Sequence, residues 1–488
     1  MFKCCIPIIS ILCLWTFDSQ AQNDVLREEY EQFRHAAQAE YEDFRSKANA
    51  EYVKFMREAW EWYRKAPATP KPKDDMVPPV KYEKGNENVP QNVPVKDVVT
   101  PPLAQPQPKP VTPIRENDAE CRIQKFVFFG THGEVRLPKD FTLKLTEKNE
   151  EGYAKAWERL SATDMNNTLR DCLVLRMKHQ LCDWAYLMML GELGKTIFGD
   201  GTNEAELLQA FLMCQSGYKI RLALTGKKNL MMLFKSEHSI FALDGLRMND
   251  GLYYALRPIE GEGLSVCDIE FPNERPLSLV IAQEQIFEQN VSEQRTLTSE
   301  AGGVSIRTSV NKNTLDFYES YPTSMLGDDI MSRWAMYANT PMNSVVCKNL
   351  YQQMKDKIVG KTDTEAANLL LHWVQTAFVY EYDDKVWGDD RAFFAEETLY
   401  YPYCDCEDRS ILYSKLIRDL LGLNVLLVYY PGHLATAVEF DTEVKGDAIV
   451  LDGRRFVVCD PTYIGAPVGL TMPGMDNRTA KVILLNTK

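Results

Sequence analysis

The stretch Tyr403-Cys404-Asp405-Cys406-Glu407-Asp408-Arg409-Ser410 decides the reading of this chain, because a helix-like run to Leu421 follows it directly. Glu407 and Asp408 are acids suited to a first helical turn, so Cys406 is placed at a helix start. Gly422 ends that run, and residues 423–430 are apolar and β-branched enough for a strand. Pro431-Gly432 reads as a turn, and His433 opens a second strand over 434–440. A third strand over 455–459 ends in Asp460-Pro461-Thr462-Tyr463. A cysteine at a helix start, a histidine at a strand start and an aspartate at a strand end follow in that order. These are the ingredients of a thiol nucleophile, its base and the group that orients the base.

The chain has 488 residues, enough for two or three domains, and a formal net charge of -14. No basic stripe offsets that acidity, which excludes a nucleic-acid footprint. At the N-terminus Lys3 precedes an apolar run from Cys4 to Trp15, and Ser19-Gln20-Ala21 supplies small residues for cleavage. Residues 1–21 therefore read as a secretory signal, and the mature protein as secreted or periplasmic. A lipid-modified cysteine at Cys13 is the alternative, though Leu12 fits that kind of site poorly. No later segment is apolar enough for a transmembrane span. Of twelve cysteines, nine remain after the leader, an odd number that leaves at least one thiol unpaired or paired to another chain.

Residues 22–65 carry an eleven-residue repeat. Tyr30, Tyr41, Tyr52 and Tyr63 recur at that spacing, as do Phe33, Phe44 and Phe55. A period of eleven is about 3.67 residues per turn, which holds one aromatic stripe on one face of a long helix. Rings left in water on a lone helix imply a partner: a second copy of the chain, another protein or a membrane surface. Folding back onto its own domain is the competing reading. Residues 66–115 are rich in proline and lysine and read as an extended spacer, so removing residues 1–115 is expected to change assembly but not catalysis.

From residue 116 the pattern is mixed α and β. Residues 126–129 and 141–145 read as strands, and 151–193 and 203–214 as helical. A weaker repeat lies within this part. Leu181-Cys182-Asp183-Trp184 before Phe198-Gly199-Asp200 matches Leu371-His372-Trp373 before Trp387-Gly388-Asp389. Residues 116–265 and 326–488 then form two related units, with strand-rich sequence over 266–325 between them. The first unit carries Asn203 or a neighbour where the second has Cys406, and Arg257-Pro258 where it has Asp460-Pro461. His238 is a candidate counterpart of His433, and Leu243-Asp244-Gly245 of Leu451-Asp452-Gly453. The first unit thus reads as catalytically degenerate.

Cys406-Glu407-Asp408, the helix to Gly422, Gly432-His433 and Asp460-Pro461-Thr462 resemble the transglutaminase-like superfamily of papain-type thiol enzymes. The resemblance covers residues 330–475, and 150–262 only as an echo. It implies an α+β fold with Cys406 as nucleophile at a helix N-terminus, His433 as base and Asp460 as orienting carboxylate, with no cofactor. The activity implied is peptidase or amidase action on a protein or peptide through a thioester, with protein crosslinking as the alternative if a lysine amine replaces water. A helix N-terminus favours a thiolate, while Glu407 and Asp408 oppose one. Tyr400, Tyr401 and Tyr403 are candidates to line the cleft or donate to an oxyanion. Two other readings stay open at this point: a zinc site from Cys404, Cys406, His433 and Cys459, and a Cys404–Cys459 disulfide beside the site. The opposing class is a non-enzymatic scaffold that binds through the helix and both units.

Overall fold

The computed structural model describes residues 9–73, 77–85, 89–100, 114–300 and 303–486, and of residues 9–31 and Phe33 the backbone alone. The first eight residues of the expected leader lie outside the described residues, as do the side chains of Tyr30 and Phe33. Among the described residues no helix is long and apolar enough to cross a membrane.

The chain is a mixed α+β protein whose two units repeat one sheet topology. In the first unit the neighbouring strands are Gly263–Cys267, Ile220–Leu224, Leu230–Lys235, Gly251–Ala255 and Gly245–Met248. In the second they are Lys481–Leu484, Val425–Tyr430, His433–Glu439, Arg454–Cys459 and Ala448–Leu451. Chain order within each set is the same, and every pairing within both sets is antiparallel. A helix precedes each set: Asn203–Gln215 in the first unit and Cys406–Leu421 in the second. Turn chemistry sets the registers. Pro431 and Gly432, the latter at φ 76°, join Tyr430 to its partner His433. Asp452 and Gly453, both at positive φ, form the tight turn between Leu451 and Arg454. The equivalent hairpin in the first unit turns at Asn249-Asp250, not at Leu243-Asp244-Gly245, which precedes the strand.

The N-terminal stretch departs from its expected form. The helix Ile9–Met56 stops nine residues short of the expected 65, and Trp60–Ala66 is a strand. Trp60 turns its indole back on the Met56 carbonyl at 2.6 Å, satisfying an otherwise orphaned acceptor. Tyr63, the fourth tyrosine of the repeat, therefore lies on a strand. That strand pairs with Gly263–Cys267 on one side and Gly245–Met248 on the other, closing the first unit's barrel. The helix also docks on its own chain. Tyr52 is buried with its ring 4.7 Å from that of Trp157, and Ala48, Val53 and Met56 join the core. Arg45 and Asn49 enter a buried network, with Asn49 bonded to Gln215 and to the Trp157 indole, and Arg45 to Gln215 and Asn166. Phe44 and Phe55, on the other stripe, stay exposed.

The proline-rich stretch is not a free spacer. Asn92–Pro94 adds in parallel to Ala448–Leu451, and Val98–Val99 adds in parallel to Lys481–Leu484, one at each edge of the second sheet. Only Val95, Lys96 and Asp97 separate them, a reach of roughly 14 Å, so the two edges curl towards each other. One continuous stretch thus closes both units. Elsewhere, Cys121–Phe128 pairs with Thr131–Pro138, while 141–145 is not a strand. The helical region 151–193 is broken into Glu150–Leu160, Asn166–Lys178 and Asp183–Phe198. The connecting region 266–325 holds the hairpin Arg295–Thr298 with Ser305–Thr308 but also the helix Lys312–Ser320.

Candidate active site

Asp405 caps the Cys406–Leu421 helix, its carboxylate accepting the Glu407 and Asp408 amides while Asp408 reaches back to the Asp405 amide. Cys406 is consequently the first helical residue, and the backbone N–H of Leu434, the residue after His433, lies near enough to its sulfur to favour the thiolate. Ser410, one turn further along, donates its hydroxyl to the Leu434 carbonyl at 2.8 Å. The helix start and the strand start are therefore stitched together.

His433 Nε2 lies 2.8 Å from Asp460 Oδ2. The other carboxylate oxygen accepts the amides of Thr462 at 2.8 Å and Tyr463 at 3.2 Å, which fixes the Asp460 rotamer. Gln375, on the helix Asp363–Thr376, donates to the carbonyls of Asp460, Tyr463 and Ala466 and holds this loop in place. His433 Nδ1 is buried and has no hydrogen-bond partner among the described residues. Cys406, His433 and Asp460 are each at most 2 % exposed. The structure thus brings His433 and Asp460 into contact and sets Cys406 against the residue that follows His433.

Burial, followed by the carboxylates of Asp405 and Glu407, pushes the Cys406 thiol well above its ordinary range, and the Leu434 amide only partly opposes them. The balance between helix end and acids thus falls on the side of the neutral thiol. The acids extend into a wider cluster. Asp383, Asp390 and Glu407 hold carboxylate oxygens within 4.8 Å of one another. Burial, then Glu407, pushes Asp383 up to about 8. Arg333 Nη2 approaches Asp390 at 3.8 Å and Glu407 at 4.0 Å, and the Trp334 indole donates to Glu407 at 2.5 Å. A guanidinium already supplies countercharge there, so the cluster needs no cation to be understood.

Several sequence expectations are corrected. Among the described residues, Cys404, Cys406, His433 and Cys459 do not converge at metal-ligand distances. Cys404 and Cys459 are both free thiols, as are the other seven cysteines after the leader. Tyr401 packs among Trp387, Phe393 and Arg391, and Tyr403 is exposed. The tyrosine that sequence reasoning missed is Tyr380. It pairs with Cys404 across a short parallel bridge and keeps its hydroxyl buried, with no hydrogen-bond partner among the described residues. Only the tertiary pairing of Val379–Tyr380 with Tyr403–Cys404 brings it there, so nothing local marked it.

The first unit has the same frame with other side chains. Asn203 is the first residue of its helix, and its Oδ1 accepts the Leu230 amide at 2.9 Å. Asn229 precedes Leu230 as His433 precedes Leu434. His238 instead opens the short strand His238–Ile240, which pairs with Ser324–Leu326 away from the barrel, so it is not the counterpart of His433. Continuing the register of Ala255 opposite Leu233 puts Arg257 in the place of Asp460. Arg257 pairs with Glu206 at 2.7 Å.

Comparison of this chain with family models, with curated proteins and with solved structures gave no match.

Proposed function

We propose that the second unit is a transglutaminase-like thiol enzyme, a peptidase or amidase working through a thioester, with Cys406, His433 and Asp460 as its triad. The observation that carries this reading is the buried His433–Asp460 pair, which leaves His433 Nδ1 unpartnered among the described residues, with Ser410 of the Cys406 helix bonded to the residue after His433. In this mechanism Nδ1 takes the thiol proton as the sulfur attacks the amide carbonyl carbon. Asp460 holds the imidazole tautomer and stabilises the imidazolium. The tetrahedral oxyanion accepts hydrogen bonds from the Cys406 backbone N–H and the Tyr380 hydroxyl. The C–N bond breaks, the amine leaves with the proton from His433, and the thioester remains. Water, deprotonated by His433, then releases the acid and the thiol. Because the resting thiol is neutral, His433 acts as a general base rather than as half of a standing ion pair. The leader-like N-terminus supports an exported enzyme, and the side chains at the three equivalent places support a non-catalytic first unit.

The test is turnover of unstructured polypeptides by wild-type, Cys406→Ala and Asp460→Asn proteins. Asp460→Asn keeps the acceptor for Thr462 and Tyr463 but turns an N–H towards His433 Nε2. The expected result is loss of product with Cys406→Ala and a fall of about 10⁴ with Asp460→Asn, both proteins staying folded. Turnover that survives Cys406→Ala overturns the assignment.

A further inference from the structure

The chain between the two closing strands takes a route that spacing alone does not require. Ala242 donates its amide to the Thr69 carbonyl at 2.8 Å, and Lys71 pairs with Asp389 at 2.7 Å. The chain then crosses the two loops that carry His433 and Asp460. Val77 donates its N–H to the carbonyl of Gly432, directly before His433, at 2.9 Å. Val80 and Tyr82 bracket Ile464, four residues after Asp460. The Ile464 amide donates to Val80 at 2.8 Å, the Tyr82 amide donates to Ile464 at 2.9 Å, and Lys81 bridges in parallel. Val80 and Tyr82 are two apart on extended chain and so face the same side, where they pack on Tyr463, Ala466 and Met472. The Tyr82 ring meets the Tyr463 ring edge-on at 5.8 Å. Lys81 points out and is exposed. Pro78 and Pro79 have no amide hydrogens and favour extended backbone, which suits a segment laid across an edge.

We propose that residues 77–82 are a built-in occupant of a groove that binds extended polypeptide by strand addition along Gly432 and Ile464. The side-chain preference of the groove is that of the occupant: an aliphatic residue, any residue, then an aromatic one. The proposal rests on the thiol-enzyme reading for what the groove serves, since it names the substrate class of that site. Residues 77–82 lie on the two loops that carry His433 and Asp460, and the triad is at most 2 % exposed. Affinity comes from main-chain hydrogen bonds and selectivity from the alternate side chains, as in other strand-addition sites.

The experiment uses the full chain and the variant Val80→Asp/Tyr82→Asp, which places charges against the apolar face of the groove and touches no triad residue. Iodoacetamide labelling of Cys406 is followed by mass spectrometry, and a fluorescein-labelled synthetic peptide of residues 76–84 is titrated by anisotropy. The expected result is labelling at least ten-fold faster in the variant, saturable peptide binding to the variant but not to the wild type, and slowing of labelling by the peptide. Unchanged labelling with no peptide binding in a folded variant overturns the proposal. Should the variant not fold, trypsin nicking of the wild type at the exposed Lys73, Lys81 and Lys84 serves instead, with the same two readouts. Peptide binding without turnover of any polypeptide sinks the enzyme reading and keeps the groove. Turnover without peptide binding or faster labelling does the reverse.

Discussion

Asn203 stands in the first unit where Cys406 stands in the second: each opens a helix, and Asn203 Oδ1 accepts the amide of Leu230, the first residue of the second strand, at 2.9 Å. The amide of Leu230 is buried, and Asn203 is its acceptor. Truncating that acceptor leaves a buried donor unpaired, which costs about 1–3 kcal/mol. Asn203→Ala is therefore expected to lower the unfolding free energy by that amount, read as a lower urea midpoint, while Cys406 labelling stays unchanged. A neutral result would mean that the asparagine is not what holds helix to strand.

Cys406 is opposed by the acids beside it, and Asp405 is the largest of these charges. Asn is as good a helix cap as Asp, so Asp405→Asn removes the charge and keeps the cap. Burial also pushes the Asp405 carboxyl well above its ordinary range, so its charge weighs on the thiol where it has ionised, and removing it there favours the thiolate. Labelling of Cys406 at pH 8 is expected to rise several-fold, with its pH profile displaced to lower pH and thermal stability unchanged.

Asp383 is held protonated in the fold up to about 8, against about 4 when unfolded. The folded state therefore binds more protons across that interval, and stability falls as pH rises from about 4 to about 8. Asp383→Asn keeps the acceptor for the Arg391 amide and does not titrate. Its melting temperature is expected to equal or exceed that of the wild type by a few degrees at pH 8, with a smaller difference at pH 5. Equal differences at both pH values would remove Asp383 as the source.

Deleting residues 1–115 removes the strand that closes the first barrel and both outer strands of the second sheet. The shortened chain is expected to be insoluble or to lack a cooperative melt, which reverses the expectation drawn from composition. Within the helix, Tyr52→Ala should cost about 3–5 kcal/mol, while Phe55→Ala on the exposed stripe should fall within about 0.5 kcal/mol. Chemical denaturation of the two variants distinguishes a docked helix from a free one.

The candidate site was legible because its signals are local. Pro431-Gly432 and Asp452-Gly453 announce turns, and the run after Cys406 announces a helix. The order of cysteine, histidine and aspartate needed only those elements to be aligned. The N-terminal stretch was misread because a repeat of tyrosines at eleven fits a helix through Tyr63, whereas strand 60–66 is chosen by partners two hundred residues away. Asn92–Pro94 and Val98–Val99 are too short to show alternation, and prolines around them argue for a spacer. Tyr380 and Gln375 reach the site through pairing and packing, which leave no trace in their own neighbourhood.

The strand that closes the first barrel and those that edge the second sheet lie within residues 60–99, and their partners lie at 245–267, 448–450 and 482–483. A ribosome delivers the fasteners first and the sheets they fasten last. The first barrel has all its strands once Cys267 is made, whereas in the second sheet Lys481–Leu484 must arrive before Val98–Val99 has anything to bind. Contacts so distant in sequence make for slow folding. A second sheet that lacks an edge until Lys481–Leu484 is free leaves that half of the protein open long after the first barrel has its strands.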